Sequence, residues 1–420
     1  MAKLALCGGT PALSAPMTAP WPLFGAPDEE ALLRVFRSGQ WWRGGSLQAQ
    51  ADSECGRFES AFAAYHDAPH GLACTNGTVA LEVALHAAGV QPGDEVIVPA
   101  LSFVVSASAV LPVGGVPVFA DCDPRTLQPD PDAIEAAITP RTRAIVIVHF
   151  GGYPADLDRI VPMAQRHGVA LVEDCAHAQG SQWRGRGVGS YGDYGTFSFQ
   201  QSKALTCGEG GLVLCHSQDH WHRAYRYHNL GRFEEKGFYD FYVESSNCRL
   251  TDLQGALLNT QFERLKEHVP RKMEAAAFLG QHLRRMGGLE PLPQDARVTR
   301  RGFYWFLMQY RAEAFGGVSR DAFRQAMAAE GVPLWQGYGR AIHEYPLFRE
   351  WQSRDGSGTH PYATTSCPVS ERAAGQTMCT LAHQLLLCEH SALEGVVEAV
   401  AKVQQHSGEL ADWARQHPGA

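Results

Sequence analysis

No CxxC pair, no HExxH, no run of lysines or arginines and no apolar stretch approaching the roughly 20 residues of a membrane span occurs in this 420-residue chain. Each absence removes a class of function. Without a basic stripe, and with a formal net charge of −8, nucleic acid and anionic membrane surfaces are not expected partners. Without a long apolar segment the chain is not expected to span a bilayer. The apolar run at the N-terminus is too short for a signal peptide and meets prolines within a few residues. The 11 cysteines are odd in number and scattered, so they read as free thiols in a reducing cytoplasm. No GxGxxG follows a strand near the start, and Gly151-Gly-Tyr153 lacks the right spacing, so a nicotinamide site fits poorly.

What is present is the composition of a globular enzyme, 45% hydrophobic and 19% charged, long enough for two or three domains. Residues 1–45 hold five prolines and several glycines, which favour an extended arm. Then apolar strand patterns at 95–99, 116–120, 144–148 and 169–172 alternate with helical patterns near 79–88, 103–111, 130–138 and 156–167. Short Val- and Ile-rich strands joined by helices predict a parallel sheet covered on both faces. Runs at 194–199 and 211–214 flank a lysine, Lys203, and are expected to join that sheet, placing the lysine on a connection at its edge. A long helical pattern begins near Leu250 and is expected to break at Pro270. Beyond the polar segment 294–301, which reads as a boundary, an alternating strand at 303–311 and helices at 319–330 and 390–405 predict a smaller α/β domain. The division expected is an arm at 1–45, a large domain at 46–260 and a small domain at 261–420.

In open parallel sheets ligands collect beyond the carboxyl ends of the strands, so polar residues that follow strand runs come first. Asn76, Gly77 and Thr78 open a helix and offer backbone N–H groups and a hydroxyl to a phosphate, although the motif taken alone favours a simple helix cap. Asp174 ends a buried strand and requires a cation or protonated nitrogen, with a helix cap or a metal site shared with His177 as alternatives. Lys203, near Ser198 and among glycines, is a desolvated amine able to form a Schiff base, or a surface lysine. Phe103 follows a strand and can cover a flat heterocycle or pack in the core. Together the four explain one another, because a phosphate cradle, a carboxylate for a ring nitrogen, a stacking aromatic and an amine for an aldehyde are the needs of pyridoxal 5'-phosphate. His216, His220, His222 and His228 raise a zinc alternative, but lack the accompanying Glu or CxxC, so a solvated helix face is expected and no metal.

Thr75-Asn-Gly-Thr-Val-Ala-Leu81, Asp94-Glu-Val-Ile-Val-Pro99, Glu173-Asp-Cys-Ala-His-Ala-Gln-Gly180, Phe197-Ser-Phe-Gln-Gln-Ser-Lys203 and Gly208-Glu-Gly-Gly211 resemble the DegT/DnrJ/EryC1/StrS family. The resemblance extends from about Trp21 to about Ala401. It implies a fold-type-I pyridoxal phosphate transferase, with a mostly parallel seven-stranded-type sheet in the large domain and a smaller C-terminal α/β domain. By position it implies Lys203 as the cofactor-bound lysine and acid/base, and Asp174 as partner of the pyridine nitrogen. His177 would contact the ring and its 3-hydroxyl, with Ser198, Gly77 and Thr78 at the phosphate and Phe103 on the ring face. Asn247, in Ser246-Asn247-Cys-Arg249, matches an asparagine that reaches the phosphate from the neighbouring subunit, implying a homodimer with shared active sites.

Two departures from the family pattern are Asn76 in place of the usual serine and Thr380-Leu-Ala-His383 in place of a common Leu-Pro. With Gln40-Trp-Trp-Arg43 and Pro368-Val-Ser-Glu-Arg-Ala-Ala-Gly375 the second resembles scyllo-inosose-type cyclitol aminotransferases and 3-amino-5-hydroxybenzoate synthases, and points away from a nucleotide-bound substrate. The implied reaction moves an amino group from L-glutamine or L-glutamate to a ring ketone of a free cyclitol or sugar, as in aminocyclitol, aminosugar or antibiotic biosynthesis. The rivals are a dehydratase/aromatase like the 3-amino-5-hydroxybenzoate synthases, which Trp41, Trp42, Arg43 and His177 favour, and a regulatory protein that binds the cofactor without turnover. Intact Lys203, Asp174 and Ser198 argue against the last. Trp42, Tyr338 and His343 are expected near the acceptor, and the aromatic segment 231–240 is expected to cover the site.

Overall fold

Ile97, Ile145 and Ile147 point to one face of the central sheet while Val96, Val98, Ala144 and Val146 point to the other, and all are buried. That period of two with both faces covered is what the apolar strand patterns demand. The structure, a computed structural model, describes residues 3–237, 239–350 and 362–418. Its main sheet has seven strands: β1 (His70–Cys74), β2 (Glu95–Pro99), β3 (Val116–Ala120), β4 (Thr142–Val148), β5 (Ala170–Asp174), β6 (Tyr194–Ser198) and β7 (Gly211–Cys215). They lie in the order β1-β7-β6-β5-β4-β2-β3, with β7 antiparallel to both of its neighbours and the β2–β3, β2–β4, β4–β5 and β5–β6 pairs parallel. β5 and β6 are adjacent in register, Asp174 opposite Thr196, so their carboxyl ends open on the same rim.

Among the helices, α1 (Ala26–Ser38), α2 (Glu54–Tyr65), α3 (Gly77–Ala87), α4 (Leu157–His167), α5 (Gln218–His228) and α6 (Asp252–Met286) surround this sheet. The N-terminal segment is therefore not extended throughout. Its second half forms α1, with Pro27 in the first turn where a missing N–H is harmless, and Asp28 accepts hydrogen bonds from Thr260, Gln261 and Arg264 of α6.

α6 also overrides an expectation, for it runs unbroken through Pro270. A proline inside a helix removes one backbone hydrogen bond and disfavours the turn by about 3 kcal/mol. The rest of α6 outweighs this: Phe262, Leu265 and Val269 pack into the core of the large sheet, and Leu279 and Leu283 pack into a second core. The boundary expected at 260/261 lies inside this helix. The second core belongs to a three-stranded antiparallel sheet of β8 (Leu289–Pro291), β9 (Trp305–Tyr310) and β10 (Met378–Ala382), with α7 (Arg320–Ala329) and α8 (His390–Gln405) against it. The polar segment read as a boundary contributes Val298–Arg300, which pairs with Gln182–Trp183. No helix among the described residues is long and apolar enough to cross a membrane.

Candidate active site

A cavity of about 690 Å³ opens where β1, β5 and β6 end, and its lining includes Asn76, Gly77, Thr78, Phe103, Asp174, His177, Ser198, Lys203 and Tyr338. Eight of the residues expected at a cofactor from the sequence, and one expected at the acceptor, thus meet in one hollow. A cavity of about 730 Å³ between α1 and α6 is lined mostly by apolar groups such as Phe24, Leu32, Leu33 and Leu257, and holds no lysine or histidine.

The phosphate-sized end is built by the turn from β1 into α3. Asn76 Oδ1 accepts the Val79 N–H at 2.9 Å, so the cap reading is correct as far as it goes. The cap leaves the N–H groups of Gly77 and Thr78, at the positive end of the helix, without an intrahelical partner. A Cβ on Gly77 would stand 2.6 Å from the Ser198 Cβ. Only glycine lets this turn approach β6 so closely, and the approach sets the Ser198 hydroxyl beside the helix terminus.

Deeper in, Asp174 is buried at the end of β5; its Oδ2 accepts from Ser106 Oγ at 2.8 Å and its Oδ1 from the Ala176 N–H at 3.1 Å. Burial raises its carboxyl above the ordinary value, with the Ser106 hydrogen bond opposing. No ion pair to it exists among the described residues, so it is a carboxylate in want of a positive partner. Lys203 lies on the β6–β7 connection and is 9% exposed. Burial lowers its amine to about 8, with nearby Asp174 pulling the other way. An amine titrating there is roughly a tenth neutral at pH 7, against about one in 2,500 for an ordinary lysine. The nitrogen sits 4.3 Å over the centre of the Tyr304 ring.

His177 Nδ1 accepts the Gly151 N–H at 3.3 Å, which places the ring proton on Nε2, 3.0 Å from the Tyr338 hydroxyl. Burial, with Lys203 adding, holds His177 well below its ordinary value and keeps it neutral. Its ring stacks on Tyr304 at 4.1 Å. Phe103 is 48% exposed at the mouth, 5.3 Å from the Tyr338 ring. Ser106 and Tyr304 were not foreseen. Ser106 lies in an ordinary helical pattern, and Tyr304 is one of several aromatics in the β9 run, so nothing in the sequence separates either from its neighbours.

Three expected residues do not line this cavity. Trp42, 51% exposed, lines a separate cavity of about 340 Å³ with Arg43, Tyr225 and Asn229. That same cavity, not the one holding Lys203, is bordered by Arg232, Phe233 and Lys236 of the segment expected to cover the site; residue 238 of that segment lies outside the described residues. His343 is buried against Phe119, with Nε2 3.0 Å from Glu371 Oε1. It does not line the Lys203 cavity, because its short helical turn packs against Phe119 of β3. Asn247 is exposed and pairs its backbone with Asn229.

The histidines of the zinc alternative take separate partners. His222 Nδ1 is 2.6 Å from Glu234 Oε1, while His228 is buried with Nε2 2.9 Å from the Ala73 carbonyl oxygen. The solvated face expected for α5 is thus wrong for His228, whose burial beneath β1 lowers it to about 3.

The DegT/DnrJ/EryC1/StrS aminotransferase family model matches residues 25–401. The L-glutamine:2-deoxy-scyllo-inosose aminotransferase of Streptoalloteichus tenebrarius is 38% identical over 433 residues, covering 97% of this chain and 99% of that one. The 3-amino-5-hydroxybenzoate synthase of Amycolatopsis mediterranei is 35% identical, covering 93% of this chain and 98% of that one. The crystal structure of a 3-amino-5-hydroxybenzoic acid synthase superposes with a TM-score of 0.83 at 34% identity, over 93% of this chain and 99% of that one. The chain belongs to the DegT/DnrJ/EryC1/StrS aminotransferase family.

Proposed function

We propose that this aminotransferase binds pyridoxal 5'-phosphate in the cavity around Lys203 and moves the amino group of L-glutamine to a ring ketone of a free scyllo-inosose-type cyclitol. The observation that carries the cofactor reading is the pairing of a buried amine and a buried carboxyl, Lys203 and Asp174, neither of which has an ion-pair partner among the described residues. Each is matched by one end of such a cofactor, the aldehyde and the ring nitrogen. Pyridoxal phosphate, when bound, supplies an aldehyde that takes up the amine and a ring that draws electrons from the adjacent carbon.

The chain does the rest. The N–H groups of Gly77 and Thr78 and the Ser198 hydroxyl hold the phosphate at the start of α3. Asp174 keeps a proton on the ring nitrogen, and Ser106 and Ala176 keep Asp174 aimed. His177, fixed as the Nε2–H tautomer, orients the ring at its 3-hydroxyl, and Phe103 shields one face. Lys203 Nζ moves the proton at the carbon that gives up or receives the amine. Asn247, exposed in one subunit, is assigned to the phosphate of a second copy in a homodimer.

Glutamine and a free cyclitol are chosen over other substrates because the 38%-identical relative, aligned over nearly the whole of both chains, is named for them. Of the three residues expected at the acceptor, Tyr338 alone lies in this cavity, and we retain it for that role. The 35% identity to a 3-amino-5-hydroxybenzoate synthase supports a second reading, in which Lys203 is the base for dehydration of an aminocyclohexenone. Incubation of the loaded protein with L-glutamine and 2-deoxy-scyllo-inosose separates the two. An aminated cyclitol, detected by mass, is expected; its absence over long incubation, with the donor still consumed in the presence of other ketones, would count against the cyclitol.

A further inference from the structure

Lys272, in the middle of α6, has no exposed surface. No carboxylate pairs with it among the described residues, and its Nζ is 3.1 Å from His383 Nδ1. His383 directly follows β10, at the place where the sequence departs from the family pattern, and it too is buried. Its Nε2 lies 3.1 Å from the Ser202 carbonyl oxygen. A carbonyl can only accept, so Nε2 carries the proton, Nδ1 is the acceptor and Lys272 must donate. The order of donation is fixed from α6 to the residue before Lys203.

A second donor reaches the neighbouring carbonyl. Trp21 Nε1 donates to the Gln201 carbonyl oxygen at 3.0 Å, and the Trp21 ring meets the His383 ring edge-on at 4.4 Å. The His383 backbone N–H donates to the Tyr304 carbonyl at 3.2 Å, and the Tyr304 hydroxyl is 3.1 Å from Ser202 Oγ. So the two peptide units before Lys203, and the ring beneath its amine, are all held from outside the large sheet. A buried lysine without a carboxylate is costly, so its place here calls for a structural reason. Burial indeed lowers Lys272 to about 7.

We propose that Lys272, His383 and Trp21 are positioning residues that clamp the backbone at Gln201 and Ser202 and so set the direction of Lys203 Nζ. The clamp joins the N-terminal segment, α6 and the small sheet to the reactive amine, and it acts through hydrogen bonds to backbone rather than by touching substrate. The inference rests on the role proposed for Lys203.

The test measures how fast the full-length apoprotein captures added pyridoxal phosphate, followed as growth of the yellow absorption and fixed by borohydride for mass analysis at Lys203. The paired replacement Lys272→Met with His383→Leu removes the donor chain at similar volume and leaves only the Ser202 carbonyl, on an exposed residue within reach of water, without its protein donor. Its melting temperature is expected to stay close to native, while capture slows ~10-fold and kcat falls by a similar factor with the donor KM unchanged. His383→Gln places an amide N–H near the Nε2 position and is expected to restore capture to within ~3-fold of native. Should the paired variant not fold, Trp21→Phe carries the test, since it deletes the donor to Gln201 while keeping an aromatic ring beside His383; slower capture is expected. Native capture rates in a folded paired variant or in Trp21→Phe, or a His383→Gln protein as slow as the paired one, would overturn the clamp alone. A native protein that captures no cofactor would overturn the reading of Lys203 and the clamp with it.

Discussion

Replacing Lys203 by alanine is expected to abolish transamination while leaving the fold intact. Lys203 is the one amine among the described residues lining its cavity, and on the proposed mechanism it both anchors the cofactor and moves the proton. Proton transfer by a positioned group contributes on the order of 10² to 10⁴ in rate, and loss of the anchor adds to it, so turnover should fall by ~10³ or more. The fold should survive because the ammonium group makes no ion pair there. Stability has its own signature. Burial lowers the amine to about 8, so between about 8 and the ordinary lysine value the unfolded chain binds more protons than the folded one, and native stability rises with pH across that window. The Lys203→Ala protein should lack this share of the rise when the melting temperature of the cofactor-free protein is followed from pH 7 to 10. Retained turnover would remove Lys203 from the mechanism.

For Asp174→Asn the expected result is a protein that still binds the cofactor but turns over ~10²- to 10³-fold more slowly. Asparagine has nearly the same shape, and its carbonyl can still accept from the Ala176 N–H. What it lacks is charge. Asp174 is buried, so its negative charge acts through a low dielectric and holds a ring proton far more strongly than a surface carboxylate would. A neutral amide cannot hold that proton, and the ring loses its pull on electrons. Near-native kcat in Asp174→Asn, with the cofactor bound, would exclude the partnership.

Much of this arrangement is legible in the sequence, for reasons that differ from residue to residue. The parallel strands announce themselves because both faces are buried and every position from Val96 to Val98 or Ala144 to Val148 is apolar. Asp174 and Ser198, at strand ends, stand out because polar groups follow apolar runs, and Lys203 stands out as the lone cation of the connection after β6. β1 and α1 are less legible. β1 is short and begins with His70 and Gly71, and α1 sits amid prolines whose effect depends on where in a helix they fall. Pro270 reads as a break because local propensity disfavours it, yet the two cores on either side of it hold α6 straight through. His343 misled because a histidine in a loop-like stretch looks available, whereas its partners Glu371 and Phe119 come from distant parts of the chain. Trp42 lines a different cavity, and Asn247, although its neighbour Cys248 accepts the Thr75 N–H beside the α3 turn, does not line this one. The Lys272–His383 contact spans 111 residues and has no local sequence signal at all.

The central claim is that the Lys203 cavity holds pyridoxal phosphate and takes an amine from L-glutamine. The visible absorption spectrum of the purified protein, supplemented with the cofactor and recorded before and after L-glutamine without any ketone, tests it most directly. A yellow band that gives way to the shorter-wavelength absorption of the aminated cofactor is the predicted result. A protein that develops no yellow band even with excess pyridoxal phosphate, or a band that L-glutamine leaves unchanged, would contradict it.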